Sequence, residues 1–130
     1  MMDEITIPFE IDDVYSGFAE CKGVIMNDNR GIILEFETVD ALFKIIKSGV
    51  KEVLINFANI SSIEFKKGFF STKIIITTKR IRNLKNIPGC DNNTIRLKIK
   101  KSNQNQARLF VSIVNLQISE NKLKNIENDN

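Results

Sequence analysis

Short runs of alternating apolar and polar residues fill most of this chain and stop near residue 100. The clearest run is TIRLKIKK, in which Ile95, Leu97 and Ile99 alternate with basic residues. Successive side chains point to opposite faces of a β-strand, so such a run predicts a strand with one buried face and one solvent face. About seven such strands are expected between residues 5 and 101.

Turn sequences join several of these runs into predicted hairpins. NDNRG, residues 27–31, separates GFAECKGVIM from GIILEFET, and Asn, Asp and Gly favour tight turns. In the strand after this turn, Glu35 and Glu37 share the face away from Ile32, Leu34 and Phe36. KKGF, residues 66–69, is a second turn, before FSTKIIITTK. In ITIPFEI, the proline restricts the first strand to an edge or an extended lead-in.

The hydrophobic period changes from 2 to about 3.6 in the last part of the chain. A helix is therefore predicted over residues 103–121, and the polar tail, residues 122–130, is expected to fray. Its apolar face comprises Ala107, Phe110, Ile113, Val114 and Ile118, widened by Leu109, Val111 and Leu116. Such an amphipathic helix can cover the open end of a curled antiparallel sheet.

A shorter helix is predicted in DALFKIIKSG, where Asp40 is a candidate N-cap. Its apolar part includes Phe43 and Ile46. These side chains either close the second mouth of the sheet or provide an apolar contact for a partner, and the pattern leaves both open.

The length of the chain predicts one domain over residues 1–130. The missing catalytic residues and motifs described below predict that it is not an enzyme. The acidic start MMDEITIPFEIDD lacks the basic and apolar regions of a secretory signal, so we expect a cytoplasmic protein, in solution or peripheral at the membrane. Histidine is absent, which removes His-based nucleophile activation and metal binding. Cys21 and Cys90 are far apart and are expected to be reduced thiols. No phosphate-binding or dinucleotide loop is present, and no cofactor or metal is expected.

The net charge of +3 conceals a strong asymmetry. Residues 1–64 hold twelve acidic and five basic residues, a net charge of −7. Residues 65–101 hold eleven basic residues against Asp91 alone, a net charge of +10. An asymmetry of this size suggests either a surface that meets a polyanion or an acidic surface that meets a basic one.

The order of about seven strands and a C-terminal helix resembles the pleckstrin-homology-like fold. IPFEIDDVYSGFAE, LEFET, KSGVKEVLINFANISSIEFKKGFF, IPG and QARLFVSIVNLQIS are similar to a small bacterial family of stand-alone pleckstrin-homology-like domains. The resemblance covers residues 5–120. It implies a mainly β barrel of two near-orthogonal antiparallel sheets, closed by the helix, with a docking or scaffolding role rather than catalysis.

The phosphoinositide site that the resemblance would imply is not preserved in the sequence. In eukaryotic pleckstrin-homology domains, a lysine late in the first strand acts with a lysine/arginine pair on the second. Here Lys22 stands too early, and Glu35 and Glu37 occupy the second strand. Carboxylates beside a phosphate repel it, so the sequence argues against specific phosphoinositide binding.

Three interpretations of the basic segment remain open. Its lysines can form an ordinary solvated sheet face; they can meet the acidic hairpin of another copy; or they can dock on anionic lipid, with insertion of Phe69 and Phe70. These two phenylalanines can equally well pack in the core. Outward aromatics that would stack on bases are missing, which argues against nucleic acid. The candidate interaction surface comprises Lys66, Lys73, Lys79, Arg96, Lys98, Lys100, Glu35 and Glu37.

The sequence therefore predicts a non-catalytic interaction or scaffold module that binds a protein partner or self-associates as a homo-oligomer. Peripheral docking to anionic membrane lipid through residues 66–101 is the alternative. Candidate apolar contacts are Phe43, Ile46, Phe69 and Phe70.

Overall fold

A computed structural model describes residues 5–14, 19–40 and 49–128. It contains seven antiparallel strands followed by one long helix, which confirms the mainly β prediction. The strands are β1 Ile7–Val14, β2 Ala19–Asn27, β3 Gly31–Asp40, β4 Lys51–Asn56, β5 Ile60–Lys67, β6 Thr72–Thr78 and β7 Thr94–Ile99, and the helix is α1 Gln104–Asn128.

All seven strands belong to one sheet in the order β4-β3-β2-β1-β7-β6-β5. The prediction of two sheets was therefore wrong, and the single sheet does not close, because β4 and β5 are its two edges. β1 joins the two halves by pairing with β2 on one side and with β7 on the other. The β1–β7 pairing consists of Glu10 opposite Lys98. This contact between distant parts of the sequence has no local signature, so strand patterns could not reveal it.

The edge position that Pro8 predicted for the first strand was also wrong, because β1 is the central strand. Proline lacks the N–H that a sheet ladder needs. In the described residues β7 pairs with β1 at Glu10 and not at Pro8, so the proline lies where the two strands have diverged.

One hydrophobic cluster receives side chains from every strand and from α1. The alternation in β7 places Ile95, Leu97 and Ile99 in this cluster and leaves the residues between them exposed, as predicted. After β6, a 3₁₀ turn at Ile81–Leu84 adds Leu84 to the core, whereas Ile81 is exposed.

The helix α1 packs on β5, on β6 and on the 3₁₀ turn Phe57–Asn59. At the other side it reaches the β2–β3 turn, where the Gln117 amide donates to the Asp28 carbonyl oxygen at 3.1 Å. α1 continues to Asn128, so residues 122–128, which were expected to fray, prolong the helix. Leu109 and Leu116 do not widen its buried face, because each is about half exposed.

The predicted turn between β2 and β3 is built around Asp28. Its Oδ1 accepts hydrogen bonds from the backbone N–H groups of Arg30, at 2.7 Å, and Gly31, at 3.3 Å. Its Oδ2 accepts from the Arg30 guanidinium at 2.7 Å. The shorter predicted helix lies outside the described residues, and so do Phe43 and Ile46; Asp40 is the last residue of β3.

Candidate functional site

Three lysines form a row across the outer face of the sheet. Antiparallel register places Lys66 of β5 opposite Lys73 of β6, and Lys73 opposite Lys98 of β7. Lys66 and Lys98 are exposed and Lys73 is half-buried. Like charges directly opposite one another destabilise a sheet slightly, so this row lowers the stability of the fold. The same three positive charges would attract an anion from solution. Together with Arg96, which lies opposite Ile75 on the same surface, the three lysines are called the basic face.

The acidic first part of the chain supplies counter-ions to the basic face. The Lys98 ammonium lies 3.1 Å from the Asp12 carboxylate, and this hydrogen bond and charge raise the pKa of Lys98. Glu10 lies directly opposite Lys98 in the sheet. Arg96 is 3.9 Å from Asp91. Part of the acidic–basic complementarity predicted between copies is therefore satisfied within one molecule.

The depression between β1, β6 and β7 has mixed charge. It measures about 280 Å³ and is lined by the cations Lys73, Arg96 and Lys98 and by the carboxylates Glu10 and Asp12. A phosphate seated there would meet both signs of charge. This lining suits diffuse attraction to an anionic surface better than a pocket for one phosphate group.

Glu35 and Glu37 lie on the outer face of β3 and are separated from β7 by β2 and β1. Glu37 is opposite Lys22, and Glu35 is opposite Glu52. They line a separate, shallow depression of about 310 Å³ with Val50. The structure therefore places the predicted acidic pair on the same sheet as the basic face, with two strands between them.

Two more predicted lysines lie at opposite ends of the sheet. Ile99, the last residue of β7, pairs with Thr72 at the start of β6, so Lys100 follows at the end where the β5–β6 turn lies. Lys79 follows the other end of β6, where its backbone N–H donates to Asn59. The structure thus separates Lys79 from the other lysines of the predicted interaction surface.

Two adjacent phenylalanines form the apex of the β5–β6 hairpin. The Gly68 N–H donates to the Ser71 carbonyl oxygen at 2.7 Å and closes a tight turn over Phe69 and Phe70. These side chains are 86% and 88% exposed, and their rings pack edge to face with centroids 4.7 Å apart. A Cβ on Gly68 would lie 2.7 Å from the Ser71 oxygen, so this turn needs glycine. The four residues Gly68–Ser71 are called the Phe tip.

The exposure of the Phe tip settles an alternative that the sequence left open. Phe69 and Phe70 do not pack in the core. Burying one phenylalanine side chain releases about 1.5–3 kcal/mol, and this hairpin forgoes that release twice. Single exposed apolar residues are common on proteins, but two adjacent aromatic rings at a turn apex indicate a contact surface.

Lysines surround the base of the Phe tip. Lys66 and Lys67 precede the turn, and Lys73 follows it on β6. Lys100 lies at the same end of β7 and is exposed. The site therefore combines two exposed aromatic side chains with four lysines at the same end of the sheet. The sequence predicted both phenylalanines and three of these lysines, but not Lys67, which adjoins the turn. It also did not predict Glu10 and Asp12 near the basic face, because only the β1–β7 pairing brings them close.

Comparison with protein-family models, with curated proteins and with solved structures finds no match for this chain. Within the described ranges, no group of three or more Cys, Asp or Glu side chains could hold a metal ion. None of the described helices is long and apolar enough to cross a membrane.

Proposed function

We propose that this protein docks on the surface of anionic membranes through the Phe tip and the lysines around it, without catalysis. The observation that carries the proposal is the almost complete exposure of Phe69 and Phe70 next to Lys66, Lys67 and Lys73. Aromatic rings favour the boundary between headgroups and acyl chains, and lysines favour the negative surface potential. A pleckstrin-homology-like assignment of the chain is part of the same proposal.

The magnitudes make this docking peripheral and reversible. Four lysines near the tip contribute about 1 kcal/mol each at a negative surface. Two phenylalanines contribute about 1.5–3 kcal/mol each when fully buried. The gross gain of roughly 7–10 kcal/mol is reduced by the lost freedom of the bound protein. We therefore expect weak binding that requires both the rings and the anionic lipid.

The placement of the acidic residues is compatible with this orientation. Glu35 and Glu37 are separated from the basic face by β2 and β1 and do not adjoin the tip. Two strands of the sheet therefore separate these carboxylates from the lysines that would meet the headgroups. The docking is thus expected to depend on surface charge rather than on one headgroup structure, consistent with the mixed charge of the depression beside Lys98.

Co-sedimentation with vesicles tests the proposal. The wild-type chain is expected to pellet with phosphatidylglycerol-containing vesicles and not with pure phosphatidylcholine. The double change Phe69→Ser and Phe70→Ser should abolish pelleting. The matched control is Ile81→Ser, because Ile81 is 61% exposed and lies beyond the far end of β6. Equal pelleting of the double variant and the wild type would refute insertion of the tip.

Self-association is a second candidate role, and a different surface favours it. The charge-driven contact expected from the sequence is weakened by the Asp12–Lys98 pair within one molecule. The exposed side of α1 offers a better basis for association.

A further inference from the structure

The helix α1 is apolar on two opposite sides. One side packs on the sheet and comprises Ala107, Phe110, Val111, Val114 and Ile118, all buried. The other side carries Leu109, Leu116 and Leu123, which are 54%, 51% and 60% exposed. A helix that only covered a sheet would be polar on its outer side. The second apolar side therefore requires its own explanation.

The spacing of the outer leucines is seven residues, and serines lie between them. Ser112 and Ser119 each follow a leucine by three residues and precede the next by four. This alternation of three and four keeps all five side chains on one line along a helix that supercoils around another. Leu109, Ser112, Leu116, Ser119 and Leu123 are called the leucine stripe.

The serines of the leucine stripe allow close approach of a second helix. The Ser112 hydroxyl donates to the Arg108 carbonyl oxygen at 3.2 Å, and the Ser119 hydroxyl to the Asn115 carbonyl oxygen at 3.1 Å. Burying these hydroxyls therefore leaves no donor without an acceptor, which removes the main cost of placing serine in an interface. Their small size lets two helix backbones come close between the leucine layers.

We propose that two copies of this chain pair through their leucine stripes, with the two α1 helices parallel. A parallel, in-register pair stacks each leucine on its own counterpart, which is the arrangement that the seven-residue repeat favours. The helix is already held by the sheet, so pairing does not have to meet the cost of forming it.

The charges beside the leucine stripe select a second copy of the chain in parallel orientation. Lys122 immediately precedes Leu123, and Glu127 follows it by four residues, so the two charges flank the stripe on opposite sides. In a parallel pair, the residue just before one leucine of the stripe lies close to the residue five positions later in the other copy. Lys122 of each copy then faces Glu127 of the other, and this pairing occurs twice. An antiparallel pair instead sets leucine against serine and keeps Lys122 away from Glu127.

A parallel pair would point both Phe tips in the same direction. The Asn115 amide donates to the Ile63 carbonyl oxygen, and Arg108 lies over the Phe65 ring, with 5.1 Å from its guanidinium carbon to the ring centroid. As β5 proceeds towards the tip, it therefore runs towards the N-terminal end of α1. The two-fold axis of a parallel pair is parallel to the helices, so the tips project at one end. A dimer that docks on a membrane with both tips rests on the proposed membrane docking, whereas the pairing itself does not.

The association is tested by analytical ultracentrifugation from about 1 μM to about 1 mM. The wild-type chain should convert from monomer to dimer with rising concentration, and Leu116→Glu should weaken dimerisation at least ten-fold. The control is Asn125→Glu, because Asn125 is exposed and lies on the side of α1 away from the stripe. Far-UV circular dichroism checks that both variants stay folded. A wild-type monomer throughout, or a dimer insensitive to Leu116→Glu, would overturn the pairing.

The orientation is tested by oxidation of Ser119→Cys. In a parallel pair the two residues 119 face each other and should form an intermolecular disulfide, because their Cα atoms fall within bonding range. In an antiparallel pair, residue 119 faces Leu116 of the other copy. Asn125→Cys is the matched control, and the unchanged chain reports the background from Cys21 and Cys90. A dimer in which Ser119→Cys crosslinks no faster than Asn125→Cys would overturn the parallel arrangement.

Discussion

The ammonium of Lys98 lies 3.1 Å from the carboxylate of Asp12, a contact between residues 86 positions apart in the chain. It joins β7 to β1 on the outer surface, next to the place where Glu10 pairs with Lys98 in the sheet. The strongly basic second part of the chain is thus partly neutralised by the acidic first part. Two further lysines of the basic face, Lys66 and Lys73, lie nearer the β5–β6 turn, beside the Phe tip.

Removing the Asp12 charge should strengthen membrane docking. Asp12→Asn leaves Lys98 without its anionic partner and raises the positive potential of the basic face. The pair is exposed, so the free energy of unfolding should change by less than about 1 kcal/mol. Titration with phosphatidylglycerol vesicles should show tighter binding than wild type, and the gain should disappear at high salt. Weaker binding by the variant would contradict the assigned orientation.

Phenylalanines at the tip and in the core should respond oppositely to truncation. Phe110 is fully buried between α1 and the sheet, so Phe110→Ala should lower the free energy of unfolding by about 3–5 kcal/mol. The double change at Phe69 and Phe70 should alter it by less than about 0.5 kcal/mol, because both rings are almost fully exposed and pack on each other. Urea denaturation measures both. A large loss of stability from the tip variant would show that the rings support the fold.

The β2–β3 turn should make stability depend on pH in the acid range. Burial alone would raise the pKa of Asp28, but hydrogen bonds from Arg30 and Gly31 and the Arg30 charge outweigh it and hold that pKa below its usual value. A carboxyl with a lowered pKa stabilises the fold above its unfolded value, and the contribution is lost as pH falls through the folded value. Asp28→Ala should cost about 1 kcal/mol at neutral pH and less at pH 2. An equal cost at both pH values would show that the carboxylate charge is irrelevant.

The two thiols should differ sharply in reactivity. Cys21 is completely buried in β2, and burial raises its pKa to about 12. Cys90 is only partly buried. Iodoacetamide at pH 8 should therefore modify one cysteine in the native chain and two in urea, because the thiolate is the reactive form. Mass spectrometry of digested protein identifies the site, and rapid native modification of Cys21 would contradict the β2 burial.

The alternation of residues was sufficient to predict which faces of the strands are buried. Ile95, Leu97 and Ile99 enter the core, and Arg96 and Lys98 face solvent, because side-chain direction in a strand is fixed locally. The order of strands in the sheet was beyond this reasoning. The pairing of β1 with β7 is a long-range event, and the proline suggested an edge position or an extended lead-in for β1, which is instead the central strand.

Exposure of apolar residues was the least predictable part of the candidate site. Phenylalanine is buried on average, so its type alone could not place Phe69 and Phe70 at a turn apex. On α1, the spacing of Leu109, Leu116 and Leu123 was visible in the sequence, but eight apolar residues in one helix suggested a single wide face. Only the position of the sheet relative to α1 distinguishes the buried side of the helix from its outer side.

Tryptophan fluorescence at the tip tests the central claim most directly, because the chain contains no tryptophan of its own. Phe69→Trp provides one reporter at the apex, and Ile81→Trp provides a second exposed reporter beyond the far end of β6. With phosphatidylglycerol vesicles, emission from residue 69 should shift to shorter wavelength and be quenched by brominated acyl chains, while emission from residue 81 stays constant. Unchanged emission from residue 69 with the protein bound to the vesicles would show that the Phe tip does not enter the membrane.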